Sequence, residues 1–327
     1  MAVTRPVSRS INDCELSFQA RQPIDVAKAS AQHRAYQDCL SALSVQVVSL
    51  AAEPDLPDAV FVEDPAVILD EAAIISIMGA PSRRPEAPSI AVELSRYRPV
   101  KQLVEPATLE GGDVIRVGRS VFVGLSQRTN REGFRQLRDI LSPYDYQVEA
   151  ADLRGCLHLK SACSYIGNNS MLINRSLIDP KQFRAFQLID VADGEPAGAN
   201  ALLVQDVVIM PASFPKTRAL LEQRGFCVRT IDLSELQKAE GGVTCTSSIF
   251  NYEGIAKNLH EGTDMSFSVA GRSKNRIGCP LSSRRKPQPG QFLSCRSRHG
   301  QSRCNCQGRD FRQSLIPNHS WAGCRWR

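Results

Sequence analysis

Four apolar hairpins recur along this chain, and they restrict its fold more than any other feature. Val60–Leu69 and Ala72–Met78 flank the turn Asp70-Glu71, and Val114–Val117 and Val121–Leu125 flank Gly118-Arg119-Ser120. Ser164–Ile166 and Met171–Ile173 flank Gly167-Asn168-Asn169, and Ala201–Val204 and Val207–Met210 flank Gln205-Asp206. Each pair sets strand-forming residues on either side of turn formers. The second hairpin continues into a predicted helix (130–141) and strand (146–149), the fourth into a helix (216–223) and strand (226–231). The hairpins start roughly 35 to 55 residues apart, the spacing of a structural repeat. Residues 24–43 carry helical spacing and 44–50 read as a strand, which is part of one more unit. The segment after Glu240 supplies the missing strand. The expectation is an α/β fold, a closed ring of ββαβ modules sealed by pairing the last strand with the N-terminal unit, so that few sheet edges stay open. An open α/β sheet is the alternative that periodicity leaves standing.

The pattern stops near residue 252. Residues 253–327 hold 14 Lys and Arg against 4 Asp and Glu, so the first 252 keep 26 against 30 of the chain's 40 and 34. The body is mildly acidic and the tail strongly basic, so the net charge of +6 describes neither and does not argue for nucleic-acid binding by the body. Two domains are expected: an α/β unit at 1–252 and a basic, low-complexity tail at 253–327, disordered because it buries too little apolar surface to offset ordering entropy. Cys295, His299, Cys304 and Cys306 do not have a strong zinc spacing. No apolar run is long enough to span a membrane, and Met-Ala-Val-Thr-Arg-Pro is not built like a secretory signal. The eleven cysteines then read as reduced thiols in the cytoplasm.

Chemistry concentrates in four short stretches. In Glu240-Gly-Gly-Val-Thr-Cys245 the two glycines are expected to take backbone angles closed to other residues, ahead of a β-branched strand. Cys245 there is either a pocket-rim nucleophile or a buried structural thiol. Phe61-Val-Glu-Asp64 reads as the end of a strand, so Glu63 and Asp64 should point to opposite faces. An acid facing inward needs a cation, and a guanidinium fits, whereas the bland alternative is a solvated acidic turn. Glu110, in Leu-Glu-Gly-Gly-Asp113, can orient an imidazole, and His158, at an expected strand, is either a core histidine or that imidazole. Cysteine, histidine and carboxylate together make nucleophilic catalysis available. Arg83 and Arg128 follow hairpins in polar loops, as carboxylate clamps or as ordinary solvated arginines.

Taken together, Asp58-x4-Glu63-Asp64, Leu109-Glu110-Gly-Gly-Asp113, Gln127-Arg-Thr-Asn130, Leu157-His158 and Gly241-Gly-Val-Thr-Cys245 resemble the dimethylarginine dimethylaminohydrolases, within the guanidine-modifying pentein superfamily. The resemblance covers residues 5–250 and implies a five-fold pseudosymmetric α/β propeller. It implies hydrolysis of Nω-methylated arginine to citrulline and an amine through a covalent thiouronium on Cys245. His158 would be the acid and base, and Glu110 its partner. Asp64 would hold the guanidinium with Glu63 in support, Asp58 the α-ammonium, and Arg83 with Arg128 the α-carboxylate, beneath a lid carrying Leu16. No metal or organic cofactor is implied. A small-molecule substrate is the expected partner, and a homodimer stays open. Arginine deimination, amidino transfer and a non-catalytic binding role are the competing readings. The tail matches nothing in the family pattern.

Overall fold

A computed structural model describes residues 1–252; the expectations for the tail at 253–327 lie outside the described residues. Its fifteen strands form five three-stranded sheets. The first begins with β1 (Ala2–Thr4), which continues through helix α1 (Val26–Ala42) into the parallel strand β2 (Val47–Ser49). Next come the β3 (Ala66–Ile68) and β4 (Ala73–Ile75) hairpin, helix α2 (Ala87–Leu94) and β5 (Val100–Gln102). The third sheet holds β6 (Val114–Val117), β7 (Ser120–Leu125) and, after α3 (Arg131–Leu141), β8 (Gln147–Asp152). A short helix α4 (Leu159–Ala162) leads into β9 (Cys163–Tyr165), β10 (Ser170–Ile173) and β11 (Gln187–Asp190). The fifth sheet holds β12 (Leu202–Val204), β13 (Val207–Pro211) and, after α5 (Pro215–Gln223), β14 (Cys227–Ile231). After α6 (Ser234–Gln237), β15 (Ser248–Ile249) pairs antiparallel with β1 and completes the first sheet.

The ring of modules expected from the hairpins is therefore present and is closed by its two sequence extremes. Side-chain alternation explains why the strands read as unbroken apolar runs. Val121 and Val123 of β7 enter the core shared with the second sheet, while Phe122 between them enters the core shared with the fourth. Met171 and Ile173 face one neighbour and Leu172 the other; Val208 and Met210 face one and Ile209 the other. Ala2 and Val3 of β1 divide in the same way. Every middle strand is buried on both faces, so no polar face marks its period.

Three local expectations are corrected. The first hairpin is shorter than its apolar run: residues 61–65 form turns rather than a strand end, held by Phe61 N–H donating to Asp58 O at 2.9 Å and Asp64 N–H to Phe61 O at 3.3 Å. The extended lead-in at 5–18 is replaced by β1 upstream and a 3₁₀ turn at Ile11–Asp13. The strand expected around Cys245 contracts to β15, leaving the cysteine in the preceding turn. Among the described residues, no helix is long and apolar enough to cross a membrane.

Candidate active site

The ends of the modules meet around a small pocket bordered by Cys245, His158, Asp64, Asp58, Arg128 and Glu240. Cys245 is set in place through its backbone. Glu63 N–H donates to its carbonyl at 3.2 Å, and the Tyr36 hydroxyl donates to Val243 O at 2.9 Å. Gly242 N–H points at its sulfur from 3.4 Å, a contact that favours the thiolate. Burial works the other way: with the charges of Glu63 and Asp64 it pushes the thiol up to about 12.

His158 is not on a strand. It caps α4 in an extended conformation, with its imidazole buried. Its Nε2 lies 2.7 Å from Glu110 Oε2, and its Nδ1 lies 4.0 Å from Asp64 Oδ1. Burial alone would discharge the ring, but Asp64, Asp113 and the hydrogen bond to Glu110 outweigh it and raise His158 to about 9. Glu110 responds in the opposite sense. Burial opposes its ionisation, yet His158, Arg83 and Arg128 bring it down to about 2. The result is an imidazolium–carboxylate pair at neutral pH.

The adjacent acids separate as expected, although by a turn rather than by strand alternation. Asp64 accepts from Gly112 N–H at 3.1 Å and from Arg83 Nη1 at 2.9 Å, on the cysteine side. Glu63 turns away to Lys160 Nζ at 2.6 Å, and these two residues line a separate cavity of about 430 Å³ with strands of all five sheets. Asp58 is buried and accepts Glu15 N–H at 3.0 Å. Leu16, beside it, packs partly buried on the core around Phe61 and Val243.

Neither arginine is solvated. Arg83 sits in the 3₁₀ segment Pro81–Glu86, with its guanidinium on Asp64 and, at 3.0 and 2.9 Å, on Glu86. It neutralises buried acids, because buried carboxylates this close require a cation, and it also lines the pocket. Arg128 is the more forward of the two, donating to Ser17 Oγ at 3.1 Å and standing 3.5 Å from Glu110.

The glycines at 241 and 242 do not supply unusual backbone angles. The left-handed conformation falls on Glu240, at φ 58°. The glycines supply space: a Cβ on Gly241 would lie 2.4 Å from the Phe61 ring, and one on Gly242 2.2 Å from Asn200 Oδ1.

Sequence reasoning also passed over Asp113, which is fully buried. It accepts from Ser126 Oγ and Thr129 Oγ1, each at 2.6 Å, and from Leu159 N–H at 2.9 Å. It thereby ties the loop of Arg128 to the residue after His158. Its place in Glu-Gly-Gly-Asp113 was the available signal.

Asp64, Glu110 and His158 offer ligand atoms within 4.8 Å of one another, a spacing that could hold a metal ion. The donors are already committed, since Glu110 is bound to the imidazole and Asp64 to a guanidinium. A divalent ion would have to compete with the imidazole and with Arg83 for these oxygens.

Residues 3–250 match the family described as N,N dimethylarginine dimethylhydrolase, eukaryotic. An N(G),N(G)-dimethylarginine dimethylaminohydrolase of Pseudomonas aeruginosa is 36% identical over 76% of this chain and 98% of its own. A solved structure of a cysteine-to-serine mutant of the P. aeruginosa enzyme, complexed with citrulline, superposes with a TM-score of 0.72 at 35% identity, covering 75% of this chain and 97% of that one. A histidine-to-glycine variant of a dimethylarginine dimethylaminohydrolase, an adduct with S-methyl-L-thiocitrulline, superposes equally well, with a TM-score of 0.72, 35% identity and the same coverage. With its five-module ring and with residues 3–250 matched to one family model, the chain belongs to the dimethylarginine dimethylaminohydrolase family.

Proposed function

We propose that residues 1–252 hydrolyse Nω-methylated arginine to citrulline and methylamine or dimethylamine, with Cys245 as nucleophile. The observation that carries this reading is His158, which borders the same pocket as Cys245 and Asp64 and is held from behind by Glu110 at 2.7 Å. The substrate guanidinium lies against Asp64, with Glu63 behind it, and its α-ammonium and α-carboxylate reach Asp58 and Arg128. Arg83 would serve the carboxylate only by turning away from Asp64 and Glu86. Leu16 covers the pocket from the lid.

A thiol held up to about 12 is a poor nucleophile at neutral pH. A guanidinium lodged between it and Asp64 opposes the two charges that raise it, so the substrate itself promotes the thiolate. As the substrate binds, the thiol proton is released to solvent, since His158 is already protonated, and the resulting thiolate adds to the guanidinium carbon. The tetrahedral adduct collapses as His158 passes its proton to the departing amine, breaking one C–N bond and leaving a thiouronium. The neutral imidazole then takes a proton from water as that water adds to the same carbon. The C–S bond breaks, citrulline leaves, and one water has been consumed for each amine released. Glu110 holds the imidazole and favours its charged form throughout. The residues supply the whole of this chemistry, with no metal or organic cofactor in any step. Because the reaction requires a free thiol at Cys245, we assign it to the reducing cytoplasm.

Citrulline is measured after incubation with asymmetric dimethylarginine or with arginine, with Cys245→Ser as control. Release from dimethylarginine alone, lost in the variant, is the expected result. Release chiefly from arginine would make the protein a deiminase, and no release from folded protein would leave a binding role.

A further inference from the structure

Glu240 opens the stretch that organises the nucleophile, and the mechanism above does not use it. We propose that its carboxylate is the latch of the lid over the site, a positioning residue that sets how readily Cys245 is reached. This rests on the reading of Cys245 as the reactive group.

The lid is the loop between Asn12 and Ile24. Its base is pinned twice, since Ile24 N–H donates to Asn12 Oδ1 at 2.8 Å and Asn12 Nδ2 donates to Ile24 O at 3.1 Å. At its tip three backbone amides converge on one carboxylate, beside the contacts of Asp58 with Glu15 N–H and of Arg128 with Ser17 Oγ. Ser17 N–H lies 3.1 Å from both Glu240 oxygens, and Phe18 N–H and Gln19 N–H donate to Oε1 at 2.6 and 2.7 Å. Three successive amides turned toward one oxygen form an anion-binding nest, and the anion lies 221 to 223 positions away in the sequence.

Two further observations point the same way. Glu240 is held at φ 58°, a conformation that residues with side chains seldom adopt, two residues before the Gly242 amide that faces the cysteine sulfur. Strain of this kind persists where surrounding contacts enforce it. The pocket beneath the lid measures about 20 Å³, far below the size of an arginine derivative, so the lid must lift to admit one. Lifting it also frees Asp58 from Glu15 N–H and Arg128 from Ser17 Oγ, the two side chains assigned to the substrate's α-groups. The latch thus couples opening to exposure of the recognition groups. The tip is exposed, with Phe18 at 44%, so the hold is one that water can compete for.

The test compares Glu240→Ala, Glu240→Gln and Glu240→Asp with the parent chain. Alkylation of Cys245 by iodoacetamide is followed by peptide mass spectrometry, together with trypsin cleavage after Arg21 and with kcat and KM for asymmetric dimethylarginine. Glu240→Ala should raise both the alkylation and the cleavage rates about tenfold, the loss expected for charge-assisted bonds partly open to water. KM should rise with kcat retained; Gln should be intermediate and Asp close to the parent. Phe18→Pro removes the closest donor from the lid side and should give the same rise if Glu240→Ala proves unstable. Unchanged alkylation and cleavage in folded Glu240→Ala would overturn the latch, as would a parallel fall of kcat and melting temperature with no gain in accessibility. If the parent chain itself releases no citrulline, the proposed reaction fails, while alkylation and proteolysis still decide the latch.

Discussion

Adding one methyl group at Gly112 should disable the site while leaving the ring folded. A Cβ there would lie 2.6 Å from His158 Nδ1 and 2.8 Å from Asp64 Oδ1, against about 3.4 Å for ordinary contact, so the ring must retreat by about 0.8 Å. It cannot do so freely, because Glu110 holds its other nitrogen at 2.7 Å. Asp64 is likewise tied, to Arg83 at 2.9 Å. A displacement approaching 1 Å at reacting groups costs about 100-fold in rate. Overpacking of this size costs about 1–3 kcal/mol, which lowers the melting temperature of a domain this long by roughly 2–4 °C per kcal/mol. Gly118→Ala is the control. Nothing lies within 4 Å of its Cβ, and its φ of +59° imposes backbone strain alone, about 1–2 kcal/mol. Citrulline release and thermal unfolding, measured on both variants, should separate them: similar stability losses, with activity lost only in Gly112→Ala. Near-parental activity in Gly112→Ala would refute the placement of His158 against this glycine.

Lys160→Met should destabilise the fold by about 1–3 kcal/mol, because the half-buried Glu63 loses the cation that satisfies its carboxylate, and Glu63→Gln added to it should recover most of the loss. Denaturant unfolding checks this, and equal stability of the single variant and the parent would contradict it. Alkylation of Cys245 should accelerate about tenfold per pH unit from about pH 7 to about pH 9, because the thiolate fraction keeps growing below a pKa of about 12. A plateau within that range would show the thiol to be already ionised.

The modules were legible because every hairpin joins two apolar runs through residues that accept turns, and both faces of each middle strand are buried. β1 was not, since its three residues pair with β15 and β2 through contacts that no local pattern records. The site was legible as residue types and only partly as geometry. Cys245, His158 and Glu110 stood out in short motifs. The solvated alternative for the arginines falls away, because a run such as Pro81-Ser-Arg-Arg has the composition of a surface loop while its neighbours in space are Asp64 and Glu86. The glycines beside Cys245 were read for their freedom, whereas packing demands their smallness and the unusual angle belongs to the acid before them. Composition records that a glycine is present, not which of its two properties is used.

The seal between the ends of the ring sets the order in which this enzyme becomes active. The Met1 amino group donates to Phe250 O at 3.0 Å across a separation of 249 positions, and β15 follows Cys245 by only three residues. Contacts this distant in sequence are among the slowest to form, because all the intervening modules must be closed into a loop first. The nucleophile therefore arrives at the end of assembly. A nascent chain can complete the other four sheets and still be inert, with reactivity appearing only when β15 completes the first sheet and brings Cys245 to its histidine.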